Sequence, residues 1–571
     1  MARAIRPRRT LLVPGALALL GVLLSLWHGG RPSVWFDELA TASAIDRSPG
    51  ELWHLLTNID AVHGLYYWGV RTFSLAFGLD EVALRAFSAL GVGAAVAACY
   101  FLARRLGGET FALVAGVIAV ILPRLTWSGV EARSYSWVIA SAALVLIAAH
   151  RAASSTGEPG EPGEPGAASG RRRDPRRRAW LAYGAALLLA TVLFLYSATL
   201  VLAVLVILAA DERTRTRTVL RPAVIASAAA IALASPVVIL AATQRDQVSW
   251  LQWPGWRIFQ NVLVDQWFDH SYAFAIAAWL VIAVAALLWW RRGVDGSART
   301  RDGGPADAAP TGTSPMDLAC VLRYGLAGAL VPLAAILLVS PIVPSYVGRY
   351  VSFTVPGVVL VLAAAVTTVA RALPRPRVAG AALIAVLAVT AIPGYLWQHS
   401  PLSKPGGSDF SYAARYIRDN ARPGDCVFFQ VQPSWAWPSL RIVHDGLPGM
   451  FDGLRDMGND GDRRSDGKLW DKEKGVNQWA SWAADECTAA WVLADADRPE
   501  DDFRQENGNL WWTFRPFRFM GTDMQVSLDY GGLAVVHQEQ FHILQVVHLV
   551  QPPPAEGPDP QPLPHTRHTY W

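Results

Sequence analysis

Apolar residues along this chain fall into long, nearly uninterrupted runs near positions 11–28, 83–103, 110–123, 135–150, 223–242, 272–290, 321–340, 350–370 and 379–397. A hydrocarbon layer about 30 Å thick asks for about 20 apolar residues per helix, so the shorter runs imply tilt or thin edges. The stretch from Trp180 to Ala210 is more than about 45 Å long as a helix, too long for one comfortable crossing and slightly short for two. Charge resolves it. Arg171, Arg172, Arg173, Arg176, Arg177 and Arg178 precede the stretch, and Arg213, Arg215, Arg217 and Arg221 follow it. The positive-inside rule therefore puts both ends in the cytoplasm and predicts a hairpin turning near Tyr196 and Ser197. The pattern predicts about eleven membrane-spanning helices, with the N-terminus cytoplasmic and everything beyond about Gln398 extracytoplasmic.

Past that point the pattern changes period. Tyr412, Tyr416 and Ile417 have helical spacing, Pro423-Gly424-Asp425 breaks the helix, and Cys426 to Gln430 reads as a buried strand. Further strands are expected over Thr488–Ala494 and Phe541–Val550, and Gln551-Pro552-Pro553-Pro554 ends the ordered fold. The division is thus a membrane domain over 1–397, an extracytoplasmic α/β domain over 398–550 and a disordered Pro-rich tail over 551–571. The repeated Glu-Pro-Gly between Gly157 and Gly166 is too short for a collagen helix and reads as a low-complexity cytoplasmic linker.

Composition agrees. With 571 residues, 52% apolar and only 17% charged, and a mean hydropathy of +0.26, the chain is too hydrophobic for an ordinary soluble enzyme. The formal charge of +4 does not argue for nucleic acid, because the basic residues sit in loops beside apolar runs, where they orient the chain. The first run follows Arg6-Pro7-Arg8-Arg9 but no small-x-small cleavage site follows it, so it reads as an uncleaved anchor.

Candidate chemistry gathers in the predicted outer loops. The first, about 29–82, holds the adjacent carboxylates Asp37 and Glu38, then Asp60, His63, Tyr66 and Tyr67. A short second loop holds Glu131 and Arg133. A third, 243–271, is crowded with Trp250, Trp253, Trp256 and Trp267 beside Asp265, Asp269 and His270, and a fourth ends in Gly348-Arg349-Tyr350. Arg85 stands at the outer mouth of the second span. A carboxylate at a membrane boundary must be solvated, paired or used. Of four cysteines, Cys99 falls in a span and Cys320 at a cytoplasmic edge, while Cys426 and Cys487 open two predicted strands. If those strands are parallel neighbours, the sulfurs bridge in an oxidising compartment.

The acid pair after the first span, Glu131-Ala132-Arg133-Ser134-Tyr135 and Gly348-Arg349-Tyr350 resemble, in order and placement, clan C (GT-C) integral membrane glycosyltransferases of the bacterial protein mannosyltransferase-like and aminoarabinose-transferase-like branch. The resemblance covers roughly 10–397. It implies transfer of a sugar from a polyprenyl-phosphate donor to a glycan, lipid or protein acceptor outside the cytoplasm. An inverting transfer needs a base for the acceptor hydroxyl and cations for the departing phosphate. Asp37 suits the base, with Glu38 orienting it or holding a sugar hydroxyl. Glu131, Arg133, Asp60, His63, Tyr66 and Tyr67 suit donor or acceptor binding, and Arg349, Tyr350 and Arg85 the lipid phosphate.

Plainer roles stand beside these: helix N-terminal acids for Asp37 and Glu38, an interfacial ion pair for Glu131 and Arg133, snorkelling for Arg349, and aromatic-belt anchoring for the tyrosines. Trp435, Trp437, Trp511 and Trp512 suit either sugar stacking or core packing. No cofactor is required, and a metal held by Asp37, Asp60 and His63 lacks supporting ligand spacing. A lipid-linked sugar transporter or flippase, or a non-catalytic envelope assembly protein, are the alternative readings. A transporter, however, would place its ionisable groups at mid-membrane rather than at one face.

Overall fold

A computed structural model describes residues 6–155, 175–253, 255–301, 317–435, 439–507, 510–552 and 566–567. The Glu-Pro-Gly linker, Trp437 and most of the Pro-rich tail lie outside them. Among the described residues, seven helices are long and apolar enough to cross a membrane: Glu81–Ile121, Tyr135–Ser154, Arg217–Thr243, Tyr272–Arg291, Leu318–Val339, Gly348–Arg371 and Pro376–Gln398. Shorter apolar helices cover Leu11–Leu26 and Leu195–Ala209, and another spans Pro175–Leu193. Every apolar run read from the sequence carries helix.

Two local features explain where those helices break. Glu81–Ile121 is two helices merged across Gly108, whose φ of 79° lies in the left-handed region that a side chain resists. It accounts for the second and third predicted spans. The expected hairpin turn is a break at Phe194, extended at φ −162° and ψ 114°, followed by a 3-10 turn over Leu195–Thr199. Its two arms rest mainly on other helices, the first on Tyr135–Ser154 and Arg217–Thr243, the second on Leu318–Val339.

The chain divides into two compact units: one of residues 1–27, 85–243 and 251–396, the other of 28–84, 244–250 and 397–571. The first is the helical bundle. Its hub is Val355–Arg371, buried along nearly its whole length, while Pro376–Gln398 keeps Val378, Val386 and Val389 exposed. Leu318–Val339 crosses the hub through glycines. A β-carbon on Gly357 would stand 2.5 Å from the Ala329 amide nitrogen and 2.6 Å from the Gly325 carbonyl oxygen, so the two backbones touch as small-residue membrane interfaces do.

In the second unit the sheet has the order β2-β1-β3-β7-β6-β8, with β1 Cys426–Phe429, β2 Arg455–Asp456, β3 Ala489–Asp495, β6 Ala534–Gln540, β7 Leu544–Val550 and β8 Thr566–Arg567. β4 Asp502–Asn507 and β5 Leu510–Phe514 form a separate hairpin. β1 runs parallel to β2 and β3, and β7 antiparallel to β3 and β6. The strand expected over Phe541–Val550 begins only at Leu544, because Phe541 to Ile543 turn the hairpin from β6.

Strand alternation supplies two cores. Val427, Phe429, Trp491, Leu493 and Val546 share one with Phe410 and Ile417 of the predicted helix, here Phe410–Asn420. Cys426, Phe428, Val492 and Val547 face Trp479 and Leu528 on the other side. The Cys426–Cys487 disulfide is present; β1 runs parallel to β3 with Cys426 opposite Ala490, and Cys487 lies two residues before β3. Trp435 stacks on Trp512 at 5.4 Å and on Phe410 at 5.8 Å, so these two aromatics pack against one another.

The first outer loop belongs to this unit. Val34 N donates to Ser411 Oγ at 2.9 Å, Ser411 N to Ser33 Oγ at 3.0 Å, and Ser408 Oγ to the Val34 carbonyl at 2.7 Å. Asp409, beside them, accepts from the backbone N–H of His542 at 2.6 Å and of Ile543 at 2.8 Å. Burial outweighs those donors and lifts its carboxyl to about 6.

Two outcomes follow. Gly357→Ala should cost at least about 1–3 kcal/mol by overpacking, seen as a lowered Tm in detergent. Gly15→Ala, with open space around it, should be neutral. For Asp409, the folded state holds its proton more tightly than the unfolded chain, so stability present below about pH 4 is lost as pH rises through about 6. Tm measured from pH 4 to 7 should therefore fall in the wild type relative to Asp409→Asn, by a difference on the order of 3 kcal/mol.

Candidate functional site

The helix carrying the acid pair spans Phe36–Ile45. Leu39, Ala42, Ala44 and Ile45 are buried, and Asp37 and Glu38 occupy its first turn, where carboxylates favour the helix dipole. Neither acts as N-cap, since Trp35 holds that position. The two acids then differ. Asp37 is half-buried, whereas Glu38 is fully enclosed with Lys404 Nζ 3.3 Å from its Oε1, both side chains at 2% exposure or less. A buried carboxylate requires such a counter-charge.

The same unit holds the second acidic group. Asp60 has left-handed backbone, φ 59°, and accepts from the Tyr67 hydroxyl at 2.7 Å. With its amide nitrogen toward the carboxylate, Gln247 donates to the other oxygen at 2.7 Å. His63 stands 5.8 Å from the Tyr67 ring. Tyr66 and Tyr67 are buried, so they do not serve as surface belt anchors. Asp60, His63, Tyr66 and Tyr67 thus form one packed group.

In the bundle, Glu131 and Arg133 lie in the turn between helix Pro123–Gly129 and helix Tyr135–Ser154, and both are buried. Ser88 Oγ donates to the Arg133 carbonyl at 3.0 Å, and Ser136 Oγ returns a bond to the Ser88 carbonyl at 2.8 Å. These bonds lock the turn to the helix that carries buried Arg85. Arg349 sits in a 3-10 turn, Gly348–Thr354, with its guanidinium 5.5 Å from the Tyr350 ring. Tyr350 packs in turn on Phe194 and Tyr196. A β-carbon at Gly348 would meet the Gln266 backbone at 3.3 Å, a close approach that fixes the turn.

A further cluster in the bundle joins Asp265, Asp269 and His270 of the Trp-rich loop to Arg124, which the sequence did not single out. Buried Arg124 donates to the Gln266 carbonyl at 2.9 Å and pairs with Asp269 at 3.1 Å. His270 Nδ1 lies 2.8 Å from Asp265. Desolvation pushes the His270 imidazolium down, but the Asp265 hydrogen bond and the Asp265 and Asp269 charges override it, and its pKa is raised. The signal was the density of charge in the Trp-rich loop. Its partner, 141 residues earlier, was invisible without the fold. Among the described residues, no group of three or more His, Cys, Asp or Glu is arranged to hold a metal ion.

No family model matches the sequence, and no curated protein matches it. Solved structures do. ArnT from Cupriavidus metallidurans bound to undecaprenyl phosphate superposes with a TM-score of 0.53 at 14% identity, covering 97% of this chain and 100% of that one. Its apo state gives 0.51 at 15% identity, over 95% and 98%. The oligosaccharyltransferase of Archaeoglobus fulgidus gives 0.44 at 11%, over 84% and 67%. The fold is that of the clan C glycosyltransferases.

The superposition covers 97% of this chain, more than the 10–397 of the sequence resemblance. In the second unit, Lys404→Met should remove a counter-charge from buried Glu38 and cost up to about 3–5 kcal/mol. The double variant Glu38→Gln, Lys404→Met should regain most of that loss in thermal unfolding.

Proposed function

We propose that this protein transfers a sugar from a polyprenyl-phosphate-linked donor to an acceptor hydroxyl on the extracytoplasmic face of the membrane, with inversion and with Asp37 as general base. The observation that carries the reading is the end-to-end correspondence with a structure bound to undecaprenyl phosphate. The Cys426–Cys487 disulfide supports an extracytoplasmic tail domain, because such bonds persist in oxidising compartments.

Chemistry assigns the roles. A half-buried carboxylate in the first turn of a helix has a fixed place in the fold, yet stays accessible to a hydroxyl whose proton it must take. Glu38, enclosed with Lys404, acts through placement of that turn. Buried Arg349 and Arg85 are permanently charged and suit the phosphate that leaves as the glycosidic bond breaks. Glu131 and Arg133, in their locked turn, suit sugar hydroxyls, as does the Asp60, His63, Tyr66 and Tyr67 group. None of these roles requires a metal.

The deciding experiment supplies membranes with a panel of radiolabelled polyprenyl-phosphate sugars, mannose and arabinose among them, in the presence of EDTA. Transfer from one donor is expected, falling about 10²–10⁴-fold in Asp37→Asn. Unchanged transfer in that variant would remove Asp37 from the role of base. No transfer from any donor would favour a transporter or an assembly protein.

A further inference from the structure

The second unit contains a cavity of about 580 Å³, lined in part by Glu81, Arg415, Arg418, Leu79, Val82 and Met450. That is well inside the roughly 300–1,000 Å³ of ligand pockets. It includes neither Asp37 nor Asp60. Glu81 is 93% buried, at 7% exposure, and both its carboxylate oxygens are enclosed with no hydrogen-bond partner among the described residues. Arg415 Nη2 is in the same condition and stands 3.9 Å from Glu81 Oε1, too far for a hydrogen bond.

The rest of the lining is already engaged. Arg415 is held by its Nε bond to the Ser411 carbonyl at 3.1 Å and lies 4.8 Å over the Tyr412 ring. Asp80 caps the helix behind it, accepting from Ala83 N at 2.8 Å, and Asp46 pairs with Arg464 at 2.7 Å. Arg418 pairs with Asp419 at 2.8 Å and donates to Met450 Sδ at 3.6 Å. The unmet demand is confined to one carboxylate and one guanidinium nitrogen facing the same space.

A buried polar group left without a hydrogen-bond partner is destabilising, more so when charged, so this arrangement calls for an occupant. The occupant must donate to Glu81 and accept from Arg415 at nearly one point. A hydroxyl does both. An ammonium satisfies Glu81 but opposes Arg415, and a carboxylate or phosphate does the reverse. Leu79, Val82 and Met450 add an apolar wall suited to the C–H face of a ring. We infer that this cavity is a binding site for a neutral saccharide, separate from the residues assigned to transfer.

The test uses the purified full-length protein in a detergent without a sugar headgroup and saturation-transfer NMR with three probes of similar skeleton: methyl glucoside, glucosamine and glucuronate. Methyl glucoside should bind saturably, and both charged probes at least about tenfold more weakly. Glu81→Gln should bring glucuronate to within about threefold of the neutral sugar by removing the repulsion. Val82→Trp, which fills the cavity from an exposed position, should abolish binding of all three. Absence of saturable binding, meaning a cavity filled by water alone, would overturn the assignment. So would equal binding of the charged probes, or neutral-sugar binding that Val82→Trp leaves intact.

Discussion

The buried pair of Glu38 and Lys404 ties the first outer loop to the tail within the second unit. Removing two charges from water costs several kcal/mol per ion, recovered only when the partners meet with good geometry. Residues 38 and 404 therefore have to come together, although they are far apart in the chain. The bonds joining Ser33 and Val34 to Ser408 and Ser411 set the register a few residues away. Asp37 is adjacent to Glu38, so its position is imposed by a contact that it does not make. A half-buried acid gains a fixed orientation at no conformational cost of its own.

The bundle meets its constraint by another route. Apolar side chains gain little by leaving lipid for each other, so close backbone approach has to hold the helices together. Gly357 against Gly325, Gly328 and Ala329 is the point where this is visible. Polar groups in the same unit are anchored by backbone carbonyls. Arg124 spends its guanidinium on the Gln266 carbonyl and Asp269, and the turn of Glu131 and Arg133 is pinned through Ser88 and Ser136. Such anchoring keeps charged side chains in defined places beside a hydrocarbon phase.

Much of this was legible in the sequence, and the reason is periodicity. Long apolar runs marked the helices, Pro423-Gly424 marked the end of one, and a four-residue apolar run marked β1. Cys426 and Cys487 could be paired because each stands at or just before the start of one of two neighbouring parallel strands. The short strands β2 and β8 carry too few residues to show a pattern, and the β4–β5 hairpin has a bulge that disturbs its alternation. The candidate site was legible as a set of residues but not as a set of contacts. Lys404 sits in a Pro- and Gly-rich turn with no signal of its own, and Arg124 meets Asp269 only through the fold. The grouping of residues 28–84 with the tail was hidden for the same reason: serine hydrogen bonds have no hydropathy signature.

The disulfide has a topological consequence. It joins residues 61 apart, which on a chain-entropy account removes about 4 kcal/mol of freedom from the unfolded loop. Inside that ring, Arg441 pairs with Asp456 and Glu473, and Arg463 with Asp445 and Asp471. The ring thus carries these charge pairs beside the buried Leu440, Ile442, Val443, Leu447 and Phe451, and it is cinched at its neck between β1 and the start of β3. Ion pairs can trade partners without the neck opening. The loop can therefore be remodelled by sequence change while the strands that frame it keep their register.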